Sequence, residues 1–168
     1  MSEDAVTQLL RDPRFRGAPV TWEVTQEEYR KIRHAWLTHV SAEELLFQPH
    51  SEDEFRTQIT KMLSVFVDGC TMELVPTGEM WKGTDRTEAF YRMFLGSFSG
   101  MEWVPQALVI GPQGVLDVVN MTGTLLRPFA GLTDVGRRLH LQWVIHFPWV
   151  RESGKFRGET IYSIQPVT

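Results

Sequence analysis

The residues able to do chemistry in this chain are a few polar side chains set into otherwise apolar runs. In the stretch 138–149, side chains alternate between two faces if the stretch is a strand. One face then carries His140, Gln142, Val144 and His146, and the other carries Leu141, Trp143, Ile145, Phe147 and Trp149. One face lines an interior; the other meets solvent, a helix or a second subunit. A histidine in an apolar pocket beside a carboxylate is a general acid or base, because burial and the partner move its proton affinity toward neutral pH. The same histidine in a filled interior is only a satisfied core group.

Other candidates repeat the pattern. Glu73, between Met72 and Leu74, is a carboxylate in an apolar context and a possible second acid or base, or else an exposed strand position; Asp117 and Glu102 are similar. Asn120 and Thr122 alternate on one strand and can orient a substrate oxygen or a water, or form a cross-strand hydrogen bond. Trp81, Trp103, Trp143 and Tyr162 are pocket walls, or core or dimer contacts. The six tryptophans and ten phenylalanines exceed what a core of this size needs, so some are expected around a cavity or interface.

Several chemistries find no support. Cys70, the sole cysteine, sits beside Asp68 at a helix-to-strand junction and reads as a buried structural thiol, not a nucleophile. With one cysteine there is no internal disulfide. No G-x-S-x-G elbow, HExxH pair or phosphate-binding glycine spacing occurs. The formal charge of −4 and pI near 5.7 argue against a nucleic-acid partner. No stretch of 18 apolar residues argues for a membrane span, and no basic-then-apolar leader opens the sequence. The chain is therefore expected to be cytoplasmic, without metal or organic cofactor.

These residues must be positioned by the rest of the 168-residue chain, which is long enough for one domain burying about 70% of its unfolded surface. Residues 1–24 read as an N-terminal arm broken by Pro13, Gly17 and Pro19. A single domain is expected over 25–168. Thr25 caps a helix with apolar positions Tyr29, Ile32, Trp36, Leu37 and Val40, and Glu28 is placed to close a capping box; Ser41 to Leu46 continue it as a turn, ended by Pro49. Ser51 caps a second helix, with Phe55, Ile59, Met62, Leu63 and Phe66 as its stripe and Asp68-Gly69 as its stop. A strand from Cys70 to Val75 and a turn at Pro76-Thr77-Gly78 follow. Thr84 is then expected to cap a third helix with Ala89, Phe90, Met93, Phe94 and Phe98 on one side.

Beyond Gly100, β-branched and aromatic runs alternate with Gly, Pro and Asp breaks. Strands are expected at 101–110, 115–126, 138–149 and 155–165, joined by hairpins at 111–114, 128–136 and 151–154 into an antiparallel meander. Helices first and a long curved sheet afterwards give an α+β plan with the helices over one sheet face.

Three segments carry a family resemblance. GTLLRPFAGLTDVGRRLHLQWVIHF resembles the GTH-x-G-x-F-x-G-x-x-x-x-G-[RK] loop between the middle strands of the SnoaL-like branch of the nuclear transport factor two superfamily, which has a cystatin-like fold. GKFRGETIYSIQ resembles that branch's closing strand, and FVDGCTMELVPTGEMWKGTDRTEAFYRMF its helix, strand, Gly and helix order. The likeness spans about residues 50–165. It implies a cone-shaped barrel of strongly curved, mixed or antiparallel sheet covered by the N-terminal helices, with a pocket inside. It further implies cofactor-independent acid/base chemistry on a small hydrophobic molecule (cyclisation, isomerisation, dehydration or hydrolysis) and a homodimer through the outer sheet face.

The resemblance places His146 where the polyketide cyclases keep a functional histidine, provided that one extra residue is accommodated in the hairpin 151–154. The cyclases' catalytic aspartate falls on Ile161. Glu159, two residues earlier on the same strand face, is the nearest replacement and is expected to pair with His146 as the catalytic dyad; the alternative for Glu159 is a strand-edge charge paired with Arg or Lys. Asn120, Thr122, Gln142, Trp81, Trp103, Glu73 and Tyr162 are then expected to contact substrate. Asn120 and Thr122 stand where the resembling epoxide hydrolases hold an Arg and an Asp, which weighs against epoxide opening. The missing aspartate leaves open a non-catalytic binding or dimerisation module.

Overall fold

A computed structural model describes residues 24–167; of the expected arm only Val24 falls within them, packed against the core. The chain runs α1 (Gln26–Leu45), α2 (Glu52–Leu63), β1 (Phe66–Leu74), β2 (Glu79–Lys82), α3 (Thr84–Leu95), β3 (Phe98–Gly111), β4 (Gly114–Leu125), β5 (Arg138–Val150) and β6 (Lys155–Pro166). The six strands form one sheet in the order β2-β1-β6-β5-β4-β3. From β3 to β6 it is the antiparallel meander expected from the turn signals. The pairing of β1 with β6 is parallel, so the sheet as a whole is mixed. It is an open, curved α+β cone with β2 and β3 as its edges.

Register irregularities bend the sheet. They fall in β3 between Ser99 and Glu102 and again between Pro105 and Ala107, and in the β5–β6 ladder between Val144 and Ile145 and between His146 and Trp149. Each unpaired residue raises the local twist and curls a long strand around the helices. Helix α1 lies against β3, β4 and β6, and α3 against β1, β2 and β3.

The choice of inner face follows from burial. On β5, Leu141, Trp143, Ile145 and Phe147 are all 5% exposed or less. Turning them outward would forfeit roughly 1.5–3 kcal/mol per side chain, far more than one histidine gains by facing a pocket. The odd-numbered face therefore packs against the helices. Trp143 meets Phe94, Trp103 and Phe129 at ring-centroid distances of 5.5, 5.6 and 6.1 Å.

Several local expectations are corrected. Glu28 does not close a box over Thr25: the Thr25 hydroxyl accepts from the Glu28 amide, while the Glu28 carboxylate takes a bidentate pair from Arg151 at 2.7 and 2.9 Å. A full capping box instead forms at Ser51 with Glu54. Helix α1 continues regularly through Ser41 to Leu45. Helix α2 ends at Leu63, and Asp68-Gly69 lie inside β1, whose apolar alternation outweighs the turn signal. Thr84 is the first helical residue of α3, and the cap is Gly83 at φ 85°, a conformation natural to glycine. Phe98 opens β3 instead of closing α3. The four-residue edge strand β2 carries too short a pattern to be read from sequence.

Candidate functional site

Helix α1 supplies the first components. Ile32, Trp36, His39 and Glu43 recur at spacings of four, three and four residues, so they share the face turned toward the sheet. His39 is fully buried and stacks on Phe66, with ring centroids 5.0 Å apart, while Phe147 meets it edge-on at 5.4 Å. Its Nδ1 lies 3.3 Å from the Met62 carbonyl oxygen, which can only accept, so Nδ1 carries a proton.

The other ring nitrogen, Nε2, lies 2.9 Å from Glu159 Oε1 and 3.9 Å from Glu43 Oε2. Tyr91, from α3, donates its hydroxyl hydrogen to the same Glu159 oxygen. Burial is the largest influence on His39 and lowers its proton affinity. The Glu159 and Glu43 carboxylates and the Met62 carbonyl together outweigh it, and the net shift is upward. The net effect favours the imidazolium form of His39 in its pairing with Glu159. The same burial and negative surroundings push the Tyr91 hydroxyl well up, so it remains a donor.

Glu159 is aimed inward by β6. Its neighbour Gly158 has φ 137°, and a Cβ there would collide with the Thr71 backbone of the parallel strand β1. Only glycine allows β6 to run this close to β1. Glu159 is 5% exposed and Ile161 2%, so both face the helices.

Asp117 completes the set from β4, where it pairs with Ile145 across the ladder to β5 and is 6% exposed. Its Oδ1 is buried without a hydrogen-bond partner. Burial first, then the negative charge of Glu159, push its carboxyl up to about 6. Burial also raises Glu43, with Glu159 and Asp117 adding to the rise and His39 opposing it. Glu43 therefore retains a proton where an ordinary glutamate has lost it.

Asp117, Glu159, Ile145 and Phe147 form the deep part of a crevice between α1 and the sheet, flanked by Trp36, Val40 and Glu43. Its more exposed rim is made by Glu44, Phe47, Trp103 and Pro105. Phe47 and Trp103 stack there at 5.6 Å. The open space is about 50 Å³, room for a few waters. Enclosing a ligand of ordinary size takes at least ~300 Å³, so the crevice must widen to enclose one. Among the described residues there is no cluster of three or more His, Cys, Asp or Glu fit to hold a metal ion.

Of the residues singled out from the sequence, Glu159, Asp117 and Trp103 reach this crevice. His146 does not: it is half-buried on the outer face, its Nε2 3.2 Å from the Gln113 carbonyl oxygen and its ring stacked on the half-exposed Tyr162. The expected His146–Glu159 pair is not formed, because the two side chains lie on opposite faces of the sheet. Burial lowers the proton affinity of His146, partly offset by the Gln113 carbonyl, so it stays neutral at neutral pH. Asn120, Thr122 and Gln142 also face outward. There Gln142 donates to Asn120 at 3.3 Å and Arg138 to Thr122 at 3.0 Å. Glu73 alternates outward between the buried Met72 and Leu74. Trp81 packs on Phe90 at 5.0 Å, away from the crevice.

The residues that sequence reasoning missed are His39, Glu43 and Tyr91. Their signal was present: a histidine and a glutamate inside the apolar stripe of an amphipathic helix are placed to be buried. Cys70 is buried, as expected, with its sulfur 3.4 Å from the Thr87 hydroxyl.

No protein-family model matches the chain, and neither does any curated protein. Solved structures do match. A provisionally assigned SnoaL-like polyketide cyclase from a Jannaschia species superimposes with a TM-score of 0.61 at 15% identity, over 84% of this chain and 90% of that one. TerC, co-crystallised with polyporic acid, gives 0.56 at 14% identity, over 78% and 89%. A Mycobacterium tuberculosis protein in complex with estradiol-17β-hemisuccinate gives 0.55 at 12% identity, over 79% and 93%. At these identities the likeness establishes the fold.

Proposed function

We propose that this chain, which has the cystatin-like fold of the SnoaL-like and nuclear transport factor two-like proteins, is an acid/base enzyme acting on a small hydrophobic molecule in the crevice beneath α1. The observation that carries the reading is Asp117: a buried carboxylate with one oxygen unpartnered, beside a second carboxyl that keeps its proton. A buried acceptor left unsatisfied is costly, and such cost is characteristic of sites reserved for a ligand.

In this reading Asp117 is the general base. Near neutral pH it is largely ionised and its free oxygen accepts a proton from a substrate C–H or O–H. Glu43, still protonated, donates to the substrate oxygen on which charge builds up. Glu159, anchored by His39 and Tyr91, helps to keep the two other carboxyls poised, a positioning role. Cyclisation, isomerisation, dehydration and hydrolysis all consist of such paired transfers, and no cofactor is required for them. The bound ligands of two fold neighbours support a hydrophobic substrate. A single buried cysteine is compatible with cytoplasmic work, and among the described residues no helix is long and apolar enough to cross a membrane.

Turnover of a panel of small hydrophobic ketones, enols and epoxides tests the reading. Asp117→Asn is expected to lower kcat by ~10²–10⁴-fold, whereas His146→Ala leaves it unchanged. Activity should rise as pH increases through about 6, as Asp117 ionises, and fall again at higher pH as Glu43 loses its proton. A panel turned over equally well by Asp117→Asn would remove Asp117 from the mechanism.

The narrowness of the crevice favours a second reading, a non-catalytic binding or dimerisation module. Under that reading ligand binds without turnover, and the exposed outer sheet face joins two copies.

A further inference from the structure

The crevice has a composition that its fold neighbours' ligands do not explain. Among the described residues, four carboxyl side chains line it, from Glu43, Glu44, Asp117 and Glu159, and neither a lysine nor an arginine does. The same lining holds four aromatic rings, those of Trp36, Phe47, Trp103 and Phe147. Among the described residues, the one group in reach able to take a positive charge, His39, stands behind Glu159 and is already paired with it at 2.9 Å. A carboxylate or phenolate ligand would therefore meet carboxyl groups, with no lysine or arginine among the described lining residues to receive it.

Resting on the reading of this crevice as the ligand site, we propose that the crevice takes a ligand with an ammonium group on a small apolar body, the ammonium against Asp117 and the body among Trp36, Phe47, Trp103 and Phe147. Two independent features meet there. Asp117 is about nineteen-twentieths buried, at 6% exposure, and its Oδ1 has no donor; an N–H⁺ group supplies one in a charge-assisted bond. The four aromatic side chains lining the same crevice supply the apolar surface that the body of such a ligand needs.

The electrostatics run the same way. The groups facing the crevice or backing it are His39, Glu43 and Glu44 from α1, Tyr91 from α3, Asp117 from β4 and Glu159 from β6. Burial first, and the neighbouring carboxyl groups next, make Glu43 and Asp117 hold protons more tightly than exposed carboxyls do. An ammonium beside them favours their ionised forms, so its binding expels protons and tightens as pH rises from 5 to 7.

Benzylamine, benzyl alcohol and benzoate are one shape with three charges, and titration calorimetry at pH 7 with tryptophan fluorescence compares them directly. Benzylamine is expected to bind at least ~10-fold more tightly than benzyl alcohol, a difference of about 1.4 kcal/mol, with proton release seen as a buffer-dependent heat, and benzoate more weakly than either. Asp117→Asn should erase the preference for the amine while retaining the alcohol; Trp103→Leu should weaken both. Equal or tighter binding of the alcohol or benzoate, absence of binding by all three, or a preference surviving in Asp117→Asn overturns the inference. The enzyme reading is judged separately. Amine preference without any Asp117-dependent turnover leaves this inference standing and removes the catalytic one, and Asp117-dependent turnover of neutral substrates without amine preference does the reverse.

Discussion

At Asp117 stability and readiness to react oppose each other. Its folded-state proton affinity exceeds the unfolded value of 3.8, reaching about 6, so the folded protein binds more protons than the unfolded chain between those pH values. Stability from this group is therefore fully present below pH 3.8 and is lost as pH rises through about 6. Asp117→Asn removes that loss. The variant should be no less stable than the parent at pH 4 and more stable at pH 7, measured by urea unfolding at the two pH values. A variant less stable than the parent at pH 7 would mean that the carboxylate is satisfied in the fold and not held in reserve. Asp117 was noticed in the sequence only as one carboxylate of several, because nothing in a strand's alternation says which face carries the helices. The same ambiguity turned His146 the wrong way.

At the scale of elements, the register of β6 decides where Glu159 points, and Gly158 decides how near β6 lies to β1. Gly158→Ala places a methyl against the Thr71 backbone at a φ that other residues rarely adopt. It should cost more than the ~1 kcal/mol typical of point mutants and displace Glu159 from His39 and Tyr91. Thermal unfolding, together with the His39 ring resonances, would reveal both effects; an unperturbed His39 in a destabilised variant would show that Glu159 is not positioned by this close approach. The meander and three helices were legible because their periodicities are long and their breaks carry Gly and Pro. Helix α1 was legible as an amphipathic stripe, yet its functional face was not, since Ile32, Trp36 and Val40 read simply as core. His39 and Glu43 belong to that face only once a strand from the far end of the chain brings Glu159 opposite them.

For the whole molecule, the outer sheet face is what a second copy would cover. Val104 is 57% exposed, Val109 60%, Leu116 36% and Tyr162 50%, an apolar strip flanked by the Gln142–Asn120 and Arg138–Thr122 bonds. If this strip is the dimer surface, Val109→Glu with Leu116→Glu yields a monomer by sedimentation while leaving ligand binding in the crevice intact; a wild-type chain that is monomeric at micromolar concentration would contradict it. The resemblance in the sequence announced the cone and its outer face. It did not announce the crevice residues, because His39, Glu43 and Asp117 sit on α1 and β4, outside the loop and closing strand that carry most of the likeness.

The proposed chemistry depends on carboxyl groups kept poised inside the cone, and these can be observed without knowing the substrate. Carbon-detected NMR titration of the Asp and Glu side chains is predicted to find an aspartate with its midpoint near pH 6 that vanishes in Asp117→Asn, and a glutamate titrating well above the ordinary carboxylate range that vanishes in Glu43→Gln. A spectrum in which every carboxyl has titrated by pH 5 would contradict it.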